Sequence, residues 1–135
     1  MISFQIEDIV SLEEFIAVLN SSGLAERRPM DKPNQLQKML IGSNLIITAR
    51  DSGKLVGILR ALSDFSYRCF IADLAVEKAY QKQGLGKKLI QMARSTSADA
   101  RLFLFAAEGA IIFYEKLGFQ LHDHCYQLKP EDDLS

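Results

Sequence analysis

The sequence is poor in cysteine and contains no tryptophan. Its 135 residues include two cysteines, Cys69 and Cys125, which stand far apart in the chain. This spacing matches neither a disulfide framework nor the closely spaced cysteines of metal and redox motifs. We therefore predict two reduced, buried thiols in a cytoplasmic protein.

The chain also lacks a large net charge and long apolar runs. The formal net charge is −1, so the chain lacks the basic excess that is typical of nucleic-acid binders. No apolar run approaches the roughly 20 residues that cross a bilayer, and the N-terminal residues lack the basic and apolar regions of a secretion signal. We expect no nucleic-acid partner and no membrane association.

Apolar residues make up 48% of the chain and charged residues 24%, as in ordinary globular domains. Residues 1–135 are therefore predicted to form one domain, with a frayed acidic tail from about residue 130. Hydrophobic periodicity predicts the element order β-α-α-β-β-β-α-β-α-β-β. The predicted strands are Ile2–Ile6, Leu45–Arg50, Leu55–Leu62, Arg68–Val76, Leu102–Ala106, and two short ones near Gln120–His122 and Cys125–Lys129.

Two glycines one residue apart, Gly84 and Gly86, follow the fourth strand and open a predicted amphipathic helix. A helix N-terminus presents unpaired amide groups, which attract phosphate together with the helix dipole. A side chain at either glycine would hold a ligand away from the backbone. The spacing matches neither a dinucleotide-binding turn, because Leu89 occupies the third glycine position, nor a P-loop, because Lys88 replaces the hydroxyl residue.

The pattern Gln-x-x-Gly-x-Gly at Gln81–Gly86 resembles the coenzyme A turn of the GNAT family of N-acetyltransferases. A second segment, Phe113-Tyr114-Glu115-Lys116-Leu117-Gly118-Phe119, is similar to the family's late helix and following strand. The resemblance implies an α/β (α+β) GNAT fold. Such a fold has a mixed central sheet of about six to seven strands and about four helices. It also implies fourth and fifth strands that splay apart to admit the pantetheine arm.

The resemblance further implies that acetyl-CoA is the co-substrate, with no metal. Leu74 and Val76 would offer main-chain groups to the pantetheine arm and the acetyl group. Lys82, Lys87 and Lys88 could reach the coenzyme's other phosphate, or they form a solvated helix face. The residues implied around the pyrophosphate are Gln81, Lys82, Gln83, Gly84, Leu85, Gly86 and Lys87.

Tyr114 stands where the family keeps a tyrosine that protonates the departing thiolate, and it would also contact the coenzyme. Its alternative role is that of a core tyrosine on an apolar helix face. One departure from the family lies nearby, because Ala107 occupies the position of an asparagine that commonly faces the coenzyme. This replacement removes an expected polar contact to the pantetheine arm.

Asp73 is the leading candidate for a general base, since it is a carboxylate in an otherwise apolar strand just before the glycine turn. The equally weighted alternative is an ion pair with Arg60 or Arg68. Lesser candidates for the base are Tyr67, Glu108 and Asp64. The family also includes enzymes that rely on water chains, so a dedicated base is not required.

Residues that would line an acceptor pocket in this fold are Arg27, Arg28, Asp64 and Tyr67. The adjacent arginines could bind a carboxylate or phosphate, or form an exposed basic pair, and Asp64 could hold an ammonium group. The short chain favours a small-molecule amine over a docked protein. His122-Asp123-His124 is interpreted as exposed residues and not as a metal site, because no third strong ligand is evident.

The leading hypothesis is an acetyltransferase that moves the acetyl group of acetyl-CoA to a primary amine by direct attack in a ternary complex. One alternative is a GNAT-fold module that binds coenzyme A or a partner without turnover. Another is a generic nucleotide-phosphate binder. The sequence leaves homodimer formation open.

Overall fold

A computed structural model describes all residues from Met1 to Ser135. Five strands form one sheet in the order β1-β2-β3-β4-β5, antiparallel except for the parallel β4–β5 pair. The elements are β1 (Ile2–Ile6), α1 (Leu12–Ser22), α2 (Pro33–Gly42), β2 (Leu45–Asp51), β3 (Lys54–Ser63), β4 (Arg68–Val76), α3 (Leu85–Thr96), β5 (Arg101–Phe103) and α4 (Ile111–Lys116). Single turns of 3-10 helix lie at Leu24–Arg27, Lys78–Tyr80 and Glu108–Ala110.

Local signals set the ends of the first helix. The Ser11 side chain accepts a hydrogen bond from the amide of Glu14 at 3.1 Å, which caps the N-terminus of α1. Gly23 ends the helix in the left-handed region, at a φ of 90°. The helix buries Phe15, Val18 and Leu19, as its 3.6-residue periodicity predicts.

The sheet is covered on both faces. One core cluster joins α1 and α2 to the sheet through residues such as Phe15, Leu36 and Ile58. Helix α3 packs on the strands through Leu89, whose methyl group would lie 3.4 Å from a Cβ at Gly57. The absence of a side chain at Gly57 therefore allows α3 to lie close to β3.

The chain divides into two compact units, Met1–Phe105 and Ala106–Ser135. The second unit contains the six-residue helix α4 and none of its residues is buried. The two strands predicted near Gln120–His122 and Cys125–Lys129 are absent, so the sheet has five strands and the predicted count was too high. An alternating pattern becomes a strand only where a neighbouring strand pairs with it, and this segment has no such partner.

Three further differences concern β4, β5 and the thiols. The apolar second half of β4 predicts a strand that is covered on both faces, but only every second side chain of β4 is buried. Strand β5 stops at Phe103 and is only partly buried, although Leu102–Ala106 was predicted as a buried strand. Cys69 is buried as predicted, and burial raises the pKa of its thiol, but Cys125 is exposed.

No helix of the chain has the length and apolar content that a bilayer crossing requires.

Candidate functional site

Strands β4 and β5 are paired only at their beginnings. The pairs are Arg68 with Arg101, Cys69 with Leu102 and Phe70 with Phe103. From Ile71 to Val76, β4 has no strand on its β5 side. The predicted splay is therefore present, and it leaves an open edge of backbone donors and acceptors along the second half of β4.

The hydrogen bonds between β4 and β3 show which backbone groups of β4 face this open edge. The carbonyl of Arg68 accepts from the amide of Asp64, and the amide of Glu77 donates to the carbonyl of Val56. Residues of alternating position share a direction, so Asp73 and Ala75 face β3 as Glu77 does. Leu74 and Val76 consequently direct their backbone groups towards the open edge, as the family resemblance implied.

The glycine turn leads directly into α3. Gly84 is the N-cap residue, in the left-handed region at a φ of 86°, and a Cβ built there meets nothing within 4 Å. Lys82 also has a positive φ, 64°, which is uncommon for a residue with a side chain. The amides of Leu85, Gly86 and Lys87 donate no hydrogen bond within the chain, and no side chain caps the helix. This set of free donors fits a diphosphate group.

The two glutamines of the turn contact backbone and not each other. The Gln81 Nε2 donates to the carbonyl of Val76 at 2.8 Å and to that of Ser22 at 3.4 Å. The Gln83 Nε2 donates to the carbonyl of Ala79 at 3.3 Å. In this arrangement Gln81 ties the turn to the end of β4. The side chains of Lys82, Lys87 and Lys88 are exposed around the turn.

Asp73 is buried and lies between two arginines. The Arg28 Nε lies 2.6 Å from its Oδ1, and the Arg60 Nε lies 2.6 Å from its Oδ2. Asp73 is thus ion-paired with Arg60, one of the two partners considered for it, and not with Arg68, while its role as a base stays a prediction. Arg28 is the second partner, so its guanidinium is bonded to β4. Arg27 is exposed.

Asp64 organises the turn between β3 and β4. Its Oδ1 accepts from the amides of Ser66, Tyr67 and Arg68 at 2.9, 2.7 and 3.0 Å. These three bonds lower the pKa of the carboxyl to about 2, so it is ionised at neutral pH. The exposed ring of Tyr67 lies beneath the guanidinium of Arg68, whose carbon is 3.8 Å from the ring centroid.

Tyr114 lies in α4 of the second unit and is half-buried. Its ring forms edge contacts with Phe113 and Phe119. Gly118 adopts a φ of 102°, and the amide of Phe119 donates to the carbonyl of Tyr114 at 3.1 Å, which ends the helix as predicted. In the same unit, His122, Asp123 and His124 are exposed, with ligand atoms within 4.8 Å of one another.

Residues 42–121 match the family model described as acetyltransferase (GNAT) domain. The chain belongs to the GNAT acetyltransferase family. Among the relatives of this GNAT protein is the uncharacterized N-acetyltransferase ycf52 of Pyropia yezoensis. The two are 34% identical over 115 residues, which cover 82% of this chain and 65% of that protein. The histone acetyltransferase TAP1 of Glycine max is 39% identical over 70 residues, 50% of this chain and 30% of that protein.

Solved structures share the fold of this GNAT chain. A GNAT-family acetyltransferase from Streptococcus pneumoniae TIGR4 superposes with a TM-score of 0.73 at 25% identity, covering 96% of both chains. A predicted acetyltransferase with acetyl-CoA from Clostridium acetobutylicum has a TM-score of 0.72 at 13% identity, again covering 96% of both chains. The fold class predicted from the sequence is thereby confirmed.

Sequence reasoning missed the anchor of the glycine turn. The hydroxyl of Tyr80 donates to the Asp51 Oδ2 at 2.6 Å, which fastens the turn to the β2–β3 hairpin. This bond lowers the pKa of Asp51 and raises that of Tyr80. The residues are far apart in sequence, and no periodic pattern links them. The only available signals were a tyrosine directly before the turn and a hairpin aspartate.

Proposed function

We propose that this GNAT protein transfers the acetyl group of acetyl-CoA to a primary amine of a small molecule, by direct attack in a ternary complex. One observation supports this proposal most strongly. The free amides of Leu85, Gly86 and Lys87 follow directly on the open edge of β4 in the same compact unit. Diphosphate and pantetheine are joined in coenzyme A, and these two features supply complementary partners for both parts.

The donor would be held by main chain more than by side chains. The α3 amides would bind the diphosphate, while Leu74 and Val76 would pair with the amides of the pantetheine arm. Gln81 would act by fixing the turn, because its side-chain amide already donates to Val76. The exposed lysines 82, 87 and 88 would supply positive charge for the phosphates.

The reaction needs a neutral amine, although a free alkylamine has a pKa near ~10.4. Its nitrogen attacks the thioester carbon, and a main-chain N–H of β4 stabilises the oxygen as it becomes negatively charged. The C–S bond then breaks, Tyr114 gives a proton to the thiolate, and the proton of the amine passes to water. We assign water this role because both carboxylate oxygens of Asp73 accept bonds from arginines.

For the acceptor, we propose Arg27, Asp64 and Tyr67 as the contacting residues. The Arg27 guanidinium is exposed and could bind an acidic group. Asp64 is ionised at neutral pH and uses only its Oδ1 in the turn, so its other oxygen is available to an ammonium group. The name of one relative, a histone acetyltransferase, makes a protein lysine the acceptor to test against small amines.

A second candidate function is a binding module without turnover. Two observations favour it: Asp73 is fully ion-paired, and Ala107 replaces the polar residue that commonly faces the coenzyme. This candidate keeps the donor-binding half of the proposal and removes the chemical step.

Two measurements on the full chain test the proposal. Calorimetry with coenzyme A, ATP and NAD is expected to detect binding of coenzyme A alone. Release of free thiol from acetyl-CoA is then followed over a panel of small amines and a lysine-containing histone peptide. Turnover with a small amine supports the transferase. Binding without turnover for any acceptor favours the module, and equal binding of all three nucleotides contradicts a coenzyme A site.

A further inference from the structure

We propose that Arg28 is a positioning residue, which holds the backbone bulge of β4 at Ala72 and so directs Leu74 and Val76 towards the acetyl donor. The contacts concerned lie within the first compact unit. The consequence for catalysis rests on the function proposed above, whereas the role of Arg28 in the free protein does not.

The bulge is evident from the strand register. Arg60 of β3 is paired with Asp73, whereas the next residue, Ala61, is paired with Ile71. Ala72 is therefore an extra residue on β4 with no partner on β3. An extra residue reverses the direction of every following backbone group. Without it, Leu74 would direct its amide and carbonyl towards β3 and not towards the open edge.

Arg28 supplies the bonds that the ladder cannot make. Its Nη2 donates to the carbonyl of Ala72 at 2.9 Å, and its Nε donates to the adjacent Asp73 carboxylate at 2.6 Å. A third nitrogen, Nη1, donates to the carbonyl of Arg27 at 2.7 Å. The guanidinium thus binds the bulged carbonyl and the following side chain together. A lysine could not reproduce this, because one ammonium cannot match the planar fork.

A second arginine fixes the other side of the carboxylate. Arg60 donates from Nε to the Asp73 Oδ2, and its Nη1 bonds the carbonyl of Met39 and the Ser43 hydroxyl at the end of α2. Asp73 has no exposed side-chain surface, and Arg28 retains 19%. Buried charges in a satisfied network resist displacement, so the bulge is held from two directions.

The diphosphate site is separate from this network. The α3 amides are set by Gly84 and by the helix itself, and none of the bulge residues contacts them. Loss of the Arg28 contacts should therefore disturb the thioester position while leaving the diphosphate bound. A small displacement at a reacting centre can reduce turnover by up to about a hundredfold. We expect a lower kcat at nearly unchanged affinity for coenzyme A.

The experiment compares Arg28→Lys and Arg28→Gln with Arg94→Gln, which replaces an exposed arginine of α3 outside the Asp73 network. Amide hydrogen exchange of Asp73 and Ala75, whose backbone groups face β3, is measured first, in the free protein. Both Arg28 variants should exchange faster at these amides than the parent, with β2 unchanged. Coenzyme A affinity by calorimetry should change less than about threefold, while kcat falls about tenfold to a hundredfold.

Arg28→Lys keeps the positive charge, so it tests the fork geometry even if Arg28→Gln fails to fold. The proposal is overturned if Arg28→Lys exchanges and turns over like the parent. It is also overturned if exchange rises equally across all strands, which would indicate general destabilisation. If the parent shows no turnover, the proposed function fails, and the exchange data alone decide whether Arg28 holds the bulge.

Discussion

At the scale of single residues, Gly84 carries the clearest requirement for glycine. Its φ of 86° disfavours side chains, yet a Cβ there would meet open space. Gly53 in the β2–β3 turn is a close match, with a φ of 93° and nothing within 4 Å. The two positions therefore share their backbone strain and differ in whether a ligand is expected beside them.

We predict that Gly84→Ala and Gly53→Ala each lower the free energy of unfolding by about 1 kcal/mol, because alanine disfavours the left-handed region. Only Gly84→Ala should weaken coenzyme A binding, by about tenfold or more, since the methyl group holds the diphosphate away from the amides. Urea unfolding and calorimetry measure the two effects. Equal loss of binding in both variants would show that stability alone is responsible.

Tyr114 offers a second test at this scale, with Tyr126 as the matched control. Tyr126 is 89% exposed and carries the same hydroxyl. If Tyr114 protonates the thiolate, Tyr114→Phe should lower kcat and kcat/KM alike, by about a hundredfold, with little change in KM for acetyl-CoA. Tyr126→Phe should behave as the parent does in steady-state kinetics. A Tyr114→Phe variant with full kcat would leave this tyrosine only its packing role.

At the scale of elements, the sequence predicted well wherever a signal is local. Ser11 with Glu14, Pro33, and the Asp51–Lys54 turn are such signals: they stand at the start of α1, at the start of α2 and between β2 and β3, because capping and turn chemistry act over a few residues. It predicted poorly where pairing is long-range. Nothing near Arg28 in the chain indicates that it would bond a carbonyl 44 residues away. The same holds for the final strands, which depend on a partner.

The same contrast applies to the site. The glycine turn was predicted because it lies in one continuous segment, whereas the open edge of β4 was implied only by the family resemblance. For Asp73 the sequence left two roles open. A carboxylate in a strand can be a base or an ion-pair partner, and the choice depends on neighbours that the sequence does not reveal. The ion pairs with Arg28 and Arg60 became evident only from the fold, because burial is a tertiary property.

Three elements are joined by a second charged network at the start of the chain. Arg50 of β2 bonds Glu7, after β1, at 2.7 Å and Glu14 of α1 at 2.6 Å. The Arg50 guanidinium is the main cause that lowers the pKa of Glu7, to about 2, from its ordinary value of 4.5. The Thr48 hydroxyl also bonds the Glu7 carboxylate.

This network predicts a specific loss of stability in acid. The ionised Glu7 carboxylate stabilises the folded state, and this contribution is complete above pH ~4.5, the ordinary pKa. It disappears as the pH falls towards ~2, the pKa in the folded state. Glu7→Gln should therefore be less stable than the parent by about 2 kcal/mol at pH 7, after allowance for solvent screening, and the difference should vanish near pH 2. Urea unfolding across this range measures it. Glu13→Gln, an exposed neighbour outside this network, serves as the matched control.

At the scale of the whole molecule, the buried residues all belong to the first compact unit. The buried apolar residues run from Val10 to Ala100, whereas the unit Ala106–Ser135 has none. Its regular structure is limited to helix α4 and the preceding 3-10 turn. Apolar burial is the main contribution that stabilises the folded state. The stability of the chain should therefore reside in the first unit.

Native-state hydrogen exchange tests this distribution. The bonded amides of β2 and β3 should exchange only through global unfolding, because each of these strands is paired on both sides. Those of Ala106–Ser135 should exchange faster by about three orders of magnitude or more, since local opening there exposes no core. Addition of coenzyme A should slow exchange at residues 85–87, where the free amides become bonded, and slow the strands further by mass action. If the second unit were protected as strongly as β3, its exposed side chains would have to be covered in solution, and the assignment of stability to the first unit would be wrong.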